Sequence, residues 1–210
     1  MLSLLSEGFV TSLLIFALTL LFSMPLGLAV MFGRRSRLTP LRGFIKAYIS
    51  IMRGTPLMLQ LLFVYYGLPF IPGIGIRMDD FQAAIFAFVL NYAAYFCEIF
   101  RAGIQAIPKG QYEAARTLGM NYVQTMRRII LPQVFRIILP PVSNETITLV
   151  KDTSLAFAIA YTEMFTMAKQ IASAQASLMP LFIAGLFYYI FNFVVAFVME
   201  AIEKKLDYFK

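Results

Sequence analysis

The sequence predicts an all-α integral membrane protein with five transmembrane helices, N-terminus outside and C-terminus inside, and three observations predict it. Of 210 residues, 60% are apolar and 14% charged, against about 45–50% and about 25% in soluble domains. The apolar residues gather in blocks long enough for ~20-residue helices that cross ~30 Å of hydrocarbon. Lys and Arg, 18 in all against 11 Asp and Glu, collect between alternate blocks, as cytoplasmic loops require. Residues 1–210 read as one transmembrane domain, with no internal repeat, low-complexity run or linker.

The first span is Gly8 to Phe32, an uncharged stretch of 25 residues. A cleaved signal peptide would carry its basic residues before the apolar run. Here Glu7 precedes it and Arg34, Arg35 and Arg37 follow, so it reads as a retained span. Six basic residues and no acid lie between Gly33 and Arg53, which reads as a cytoplasmic loop. The second span, about Thr55 to Ile71, returns outward. Pro69, Pro72, Gly73 and Gly75 then break regular structure in an outside loop with Asp79 and Asp80.

Phe81 to Phe100 forms the third span and carries Asn91 and Glu98. The segment from about 101 to 132 is a second cytoplasmic loop, with five basic residues against Glu113 between Arg101 and Arg128. After Pro132 a fourth span runs to about Val150, with a bend expected at Pro140 and Pro141. Leu155 to Tyr161 either extends that helix or forms a separate half-helix. Leu178 to Met199 is the fifth span, and Glu203, Lys204, Lys205 and Lys210 form an inner tail. Fourteen of the eighteen basic residues fall on the inner side of this arrangement.

Composition also narrows the function. The chain has no His and a single cysteine, Cys97. That excludes a disulfide framework, a His/Cys zinc site and a His-based triad, so neither a catalytic residue nor a metal ligand is assigned. Ionisable groups inside apolar segments are costly and default to function. Glu98 precedes Arg101 by three residues and suits an intrahelical ion pair. Asn91 is either interhelical glue or a ligand contact. Glu145, Thr148 and Asp152 share one helical face. A helix broken near Asp152, Thr153 and Ser154 could present hydroxyls and backbone donors to an α-carboxylate while the acids receive a cationic group. Alternatively, Lys151 and Asp152 neutralise each other.

The second inner loop reads Glu113-Ala114-Ala115-Arg116-Thr117-Leu118-Gly119, then Ile129-Ile130-Leu131-Pro132 after nine residues. On spacing alone it is an amphipathic connector in which Glu113 and Arg116 can pair and Gly119 permits a sharp exit. The pattern is similar to the signature loop of ABC importer permeases at every fixed position. Arg53-Gly54-Thr55-Pro56 with Gln60, Ala94 to Arg101, and Lys151-Asp152-Thr153-Ser154-Leu155 resemble the polar amino acid branch of that family, and the likeness runs from about residue 8 to 205.

The resemblance implies an ABC importer permease fold in which residues 101–132 contain a coupling helix. Glu113, Ala114, Ala115 and Gly119 would then meet an ATP-binding subunit. Asn91, Glu145, Asp152, Thr153, Ser154 and Leu155 become the candidate substrate-binding residues, Glu145 on position alone. The chain has no Gly-x-x-x-x-Gly-Lys-Ser/Thr, so no cofactor is expected here, with ATP and Mg on the partner ATPase. Further expected partners are a second permease chain, identical or related, and an extracytoplasmic amino-acid-binding protein, all at the cytoplasmic (inner) membrane. The expected substrate is a polar amino acid, cationic as in arginine, lysine or histidine; glutamine or another neutral or acidic amino acid is the alternative. A secondary transporter would show paired repeats, and a purely structural membrane subunit leaves the coupling loop unexplained.

Overall fold

A helix in lipid has no hydrophobic drive toward its neighbours, so helices associate where small residues let backbones approach. That rule builds the centre of this chain. The structure is a computed structural model that describes residues 2–73 and 75–206; Lys210 of the expected inner tail lies outside the described residues. Helix α1, Leu2–Arg34, buries Gly8, Ser12, Ile15, Thr19, Ser23, Gly27 and Met31 along one stripe. Gly8 and Ser12 of the stripe meet Glu163 and Met164 at the start of a later helix, and the rest runs along α4, Asp80–Gln105, whose buried side includes Ala83, Ala84, Ala87, Ala93 and Ala94. A Cβ on Gly27 would stand 2.9 Å from the Ala93 carbonyl oxygen, so the crossing needs glycine there. Leu13, Leu14, Leu21 and Phe22 on the opposite side of α1 remain exposed, as a lipid-facing surface does.

The segment expected to be the first inner loop is instead a helix, α2, Thr39–Gly54. Ile45 and Ile49, four residues apart, pack against Met31, Ala94 and Cys97, while Arg42 and Lys46 stay exposed. Its charges made an amphipathic helix look like a loop. Pro56 ends it by forcing Thr55 into extended geometry, φ −125° and ψ 150°. Helix α3, Leu57–Leu62, then leaves at 113° to α2.

The second expected span is likewise not one regular helix. It passes from α3 into a wide π turn, Phe63–Gly67, and a 3-10 turn, Leu68–Phe70. In the π turn the Leu68 N–H reaches back five residues to the Phe63 carbonyl, just before Pro69, which has no N–H to give. The same device recurs in the next half of the chain. A short helix α6, Tyr122–Thr125, widens at Met126–Ile130, where the Leu131 N–H bonds to the Met126 carbonyl immediately before Pro132.

Between them α5, Lys109–Thr117, follows α4 after a short turn at Pro108. Helix α7, Leu131–Asp152, carries Pro140 and Pro141 inside one continuous helix. It continues as a 3-10 stretch, Thr153–Ile159, that ends where Ala160 turns to φ 60°, so residues 155–159 extend the fourth helix rather than starting a new one. Helix α8, Met164–Gln175, went unrecognised in the sequence and packs against α1 and α9. Helix α9, Met179–Leu206, completes the chain with Phe182, Tyr189, Phe193 and Phe197 exposed.

The described residues therefore form an all-helical membrane protein. By length and composition α1, α4 and α9 can each cross a bilayer, and the bent α2–α3 pair raises the number of candidate spans to four. Helix α7 has 22 residues, but Arg136, Asn144, Glu145, Lys151 and Asp152 make it more polar than the others.

Candidate functional site

Helix α7 brings its acids to the centre of the molecule because Val142, Thr146, Leu149 and Val150 are buried against the core. Glu145 and Asp152, seven residues apart, sit beside that buried face and are each half-buried. The hydroxyl of Tyr92 on α4 donates to Asp152 Oδ2 at 2.7 Å. Arg53 lies 5.3 Å from the centre of the Tyr95 ring, which neighbours the Tyr92 ring at 6.3 Å. Neither Glu145 nor Asp152 is in an ion pair among the described residues. Lys151 is exposed and forms no ion pair with Asp152. The patch thus offers two carboxylates and a tyrosine hydroxyl, a set suited to a cationic group.

The other expected substrate residues have different surroundings. Thr153 is buried and its hydroxyl donates to the Val150 carbonyl at 2.8 Å, while the Ser154 hydroxyl donates to the Lys151 carbonyl at 2.8 Å. Both hydroxyls thus bond back to carbonyls of the last turn of α7, where it passes into the 3-10 stretch. Leu155 packs on the central hydrophobic cluster. Asn91 is buried, and its amide donates to the Met52 carbonyl at 3.1 Å and to Gln60 Oε1 at 2.9 Å. Gln60 in turn donates to the Met52 carbonyl at 3.0 Å and to Thr55 Oγ1 at 2.8 Å. Asn91 and Gln60 therefore tie the sharp α2–α3 corner to α4, which gives Thr55 and Gln60 of the sequence pattern a structural role.

The expected ion pair of Glu98 is present and larger than the spacing implied. Arg101 approaches Glu98 Oε2 at 2.6 Å, Arg34 from the end of α1 pairs with Oε1, and Arg53 stands 4.0 Å away. The cluster joins α1, α2 and α4. A second hub had no visible signal. Glu163 is fully buried and accepts from the Phe165 and Thr166 amides at 2.7 Å and from the Tyr188 hydroxyl at 3.0 Å. It caps α8 through a side chain seldom found at that position and holds α8 to α9.

On α5, Glu113 and Ala114 are exposed, whereas Ala115 is 1% exposed and turned inward. Glu113 and Arg116, which the spacing allows to pair, form no ion pair among the described residues. Gly119 has φ 74° and lets the helix close: its N–H bonds to the Arg116 carbonyl and that of Met120 to Ala115. Asn121 then caps α6 with a reciprocal bond to Gln124. The tight corner holds Leu118, Tyr122 and Val123 outward, each at least two-thirds exposed. Behind it, Gln111 on α5 and Gln133 on α7 exchange side-chain amide hydrogen bonds.

Comparison with known proteins follows the same lines. Residues 23–208 match the family of binding-protein-dependent transport system inner membrane components. The chain is 41% identical over 201 residues to the arginine transport system permease protein ArtQ of Bacillus subtilis, covering 95% of this chain and 91% of that one. It is 40% identical over 205 residues to the L-cystine transport system permease protein TcyB of the same organism, covering 97% and 86%. A crystal structure of an amino acid ABC transporter with histidines superposes with TM-score 0.88 at 32% identity over 97% of this chain and 94% of that one. The MetNI methionine ABC transporter shares the fold, with TM-score 0.67 at 19% identity over 96% and 94%. The chain belongs to the binding-protein-dependent transport system inner membrane components, among the amino acid ABC transporter permeases, as a non-catalytic multi-pass subunit of the inner membrane.

Proposed function

We propose that this permease serves a polar amino acid importer whose preferred substrate carries a cationic side chain. One observation supports it above all: Glu145 and Asp152 share a half-buried patch, Asp152 is hydrogen-bonded only by the neutral Tyr92 hydroxyl, and neither acid has an ion-pair partner among the described residues. Such carboxylates at membrane depth are costly unless a cation completes them. The relatives named for arginine and for cystine leave both a cationic and a net-neutral substrate open, and the charge of the patch favours the first. The test is competition between arginine and glutamine for uptake by the complete importer in vesicles. Arginine is expected to win; preference for glutamine would refute the charge argument.

In this reading α7 supplies the fifth span. Helices α1, α4 and α9 run inward, α3 and α7 outward, and α2 lies along the inner surface with its basic face in water. Two permease chains enclose the path, since one chain leaves the carboxylate patch partly open. A single cysteine replacing Ser36 would then label only from the inside and one replacing Arg77 only from the outside, in a background lacking Cys97. Labelling of both from outside intact cells would overturn the five-span arrangement.

An ATP-binding subunit seats against the α5–α6 corner, with Glu113, Ala114 and Gly119 at the surface, Ala115 behind them, and Leu118, Tyr122 and Val123 as the apolar contacts. The Gln111–Gln133 clasp carries movement of that corner into α7, the helix that bears Glu145 and Asp152. An extracytoplasmic binding protein delivers the amino acid from the other side.

A further inference from the structure

Where α1 ends, α4 ends and α5 begins, they enclose a cavity of about 500 Å³. Its walls combine Arg34, Arg35, Arg101 and Lys109 with the apolar Met31, Ile104 and Ile107, and no acidic residue lines it. Glu98, behind the wall, accounts for Arg34 and Arg101. Arg35 and Lys109 are exposed at the mouth and form no ion pair or side-chain hydrogen bond among the described residues. Four cations line the cavity and one carboxylate behind it compensates two of them, so Arg35 and Lys109 leave a positive surplus at the opening. That surplus favours an anion.

We infer that this cavity binds the phosphate group of an anionic phospholipid of the inner leaflet. The placement rests on the orientation given under Proposed function, in which Arg34 and Lys109 lie at the inner membrane surface. Basic pockets between helices at that depth suit phospholipid headgroups. Arginine pairs with phosphate through its planar fork of donors. The mixed lining matches a lipid better than a free ion: Met31, Ile104 and Ile107 offer surface for the glycerol and first acyl carbons. Exposed Leu41 and Phe44 on neighbouring α2, with Leu38 just before it, give that helix an apolar surface beside lipid.

The test is native mass spectrometry of the complete importer, ATP-binding subunits included, after exchange into micelles doped with phosphatidylglycerol or phosphatidylcholine. Phosphatidylglycerol is expected to remain bound through delipidation at least tenfold more than phosphatidylcholine. The pair Arg35→Gln and Lys109→Gln should abolish that preference, and the charge-keeping pair Arg35→Lys and Lys109→Arg should restore it, which separates loss of charge from loss of folding. Equal retention of both lipids, or retention unchanged by the Gln pair, would overturn the inference. Calorimetric titration with inorganic phosphate distinguishes the source: saturable micromolar binding without lipid selectivity would show a soluble anion and overturn the lipid assignment. Lipid retained only after the ATP-binding subunits are stripped would show that those subunits fill the cavity, and would overturn it too. None of these readouts uses an amino acid, so they stand apart from the arginine preference.

Discussion

Glu98 on α4 and the Glu145–Asp152 pair on α7 are acids in otherwise apolar helices, yet their surroundings are opposite. Three arginines from three helices surround Glu98, whose side chain is 14% exposed. No cation pairs with Glu145 or Asp152 among the described residues, and the one hydrogen bond to Asp152 comes from a neutral phenol. A carboxylate completed by its own chain has nothing left to offer a ligand. One left incomplete in a half-buried patch is either a defect or a binding site. The difference separates a structural acid from a functional one within a single permease.

Breaking the first region should have the larger effect on the fold. Glu98→Gln would leave Arg34, Arg53 and Arg101 facing one another at the junction of α1, α2 and α4. The expected loss is on the order of 3 kcal/mol, the lower end for removing one partner of a buried pair because the arginines are partly solvated. Thermal unfolding in detergent reads it; a midpoint unchanged from the parent would contradict the assignment.

Breaking the second should spare the fold and change selectivity. Charge-assisted hydrogen bonds contribute roughly 1.5–3 kcal/mol, so Glu145→Gln should weaken cationic substrates by about ten- to a hundredfold with glutamine unaffected. A smaller effect sharpens the contrast. Tyr92→Phe removes only the hydroxyl that orients Asp152, worth about 0.5–1.5 kcal/mol, and should raise the half-saturating arginine concentration several-fold with only a small drop in melting temperature. An unaltered arginine response would mean that Tyr92 does not position Asp152.

Much of the architecture could be read from the residues themselves, and the failures have physical causes. Helices α1, α4 and α9 appear as long apolar runs because lipid demands them. Helix α2 was hidden because counting charge does not distinguish a loop from an amphipathic helix, although Ile45 and Ile49 carried the helical spacing. The interrupted α3 segment was announced by Pro69, but only the geometry shows the π turn that precedes it. At the site, Glu145 and Asp152 were recognisable as acids on one face of one helix. Tyr92 was not, since it meets Asp152 across 60 residues of sequence. Glu98 and Arg101 were close enough to read; Arg34 came from another helix. Asn91 stood open between glue and ligand contact, and in this structure its amide holds the α2–α3 corner.

The central claim is that Glu145 faces the substrate while Glu98 faces only its own chain. The most direct measurement is the arginine-to-glutamine ratio of stimulated ATPase activity in the reconstituted importer, compared among the parent, Glu145→Gln and whatever folded fraction of Glu98→Gln can be recovered. The account predicts a parent ratio well above one, a fall of about ten- to a hundredfold in Glu145→Gln, and a parent-like ratio in Glu98→Gln at lower yield. A ratio that stays constant in Glu145→Gln, or that falls in Glu98→Gln, would contradict it.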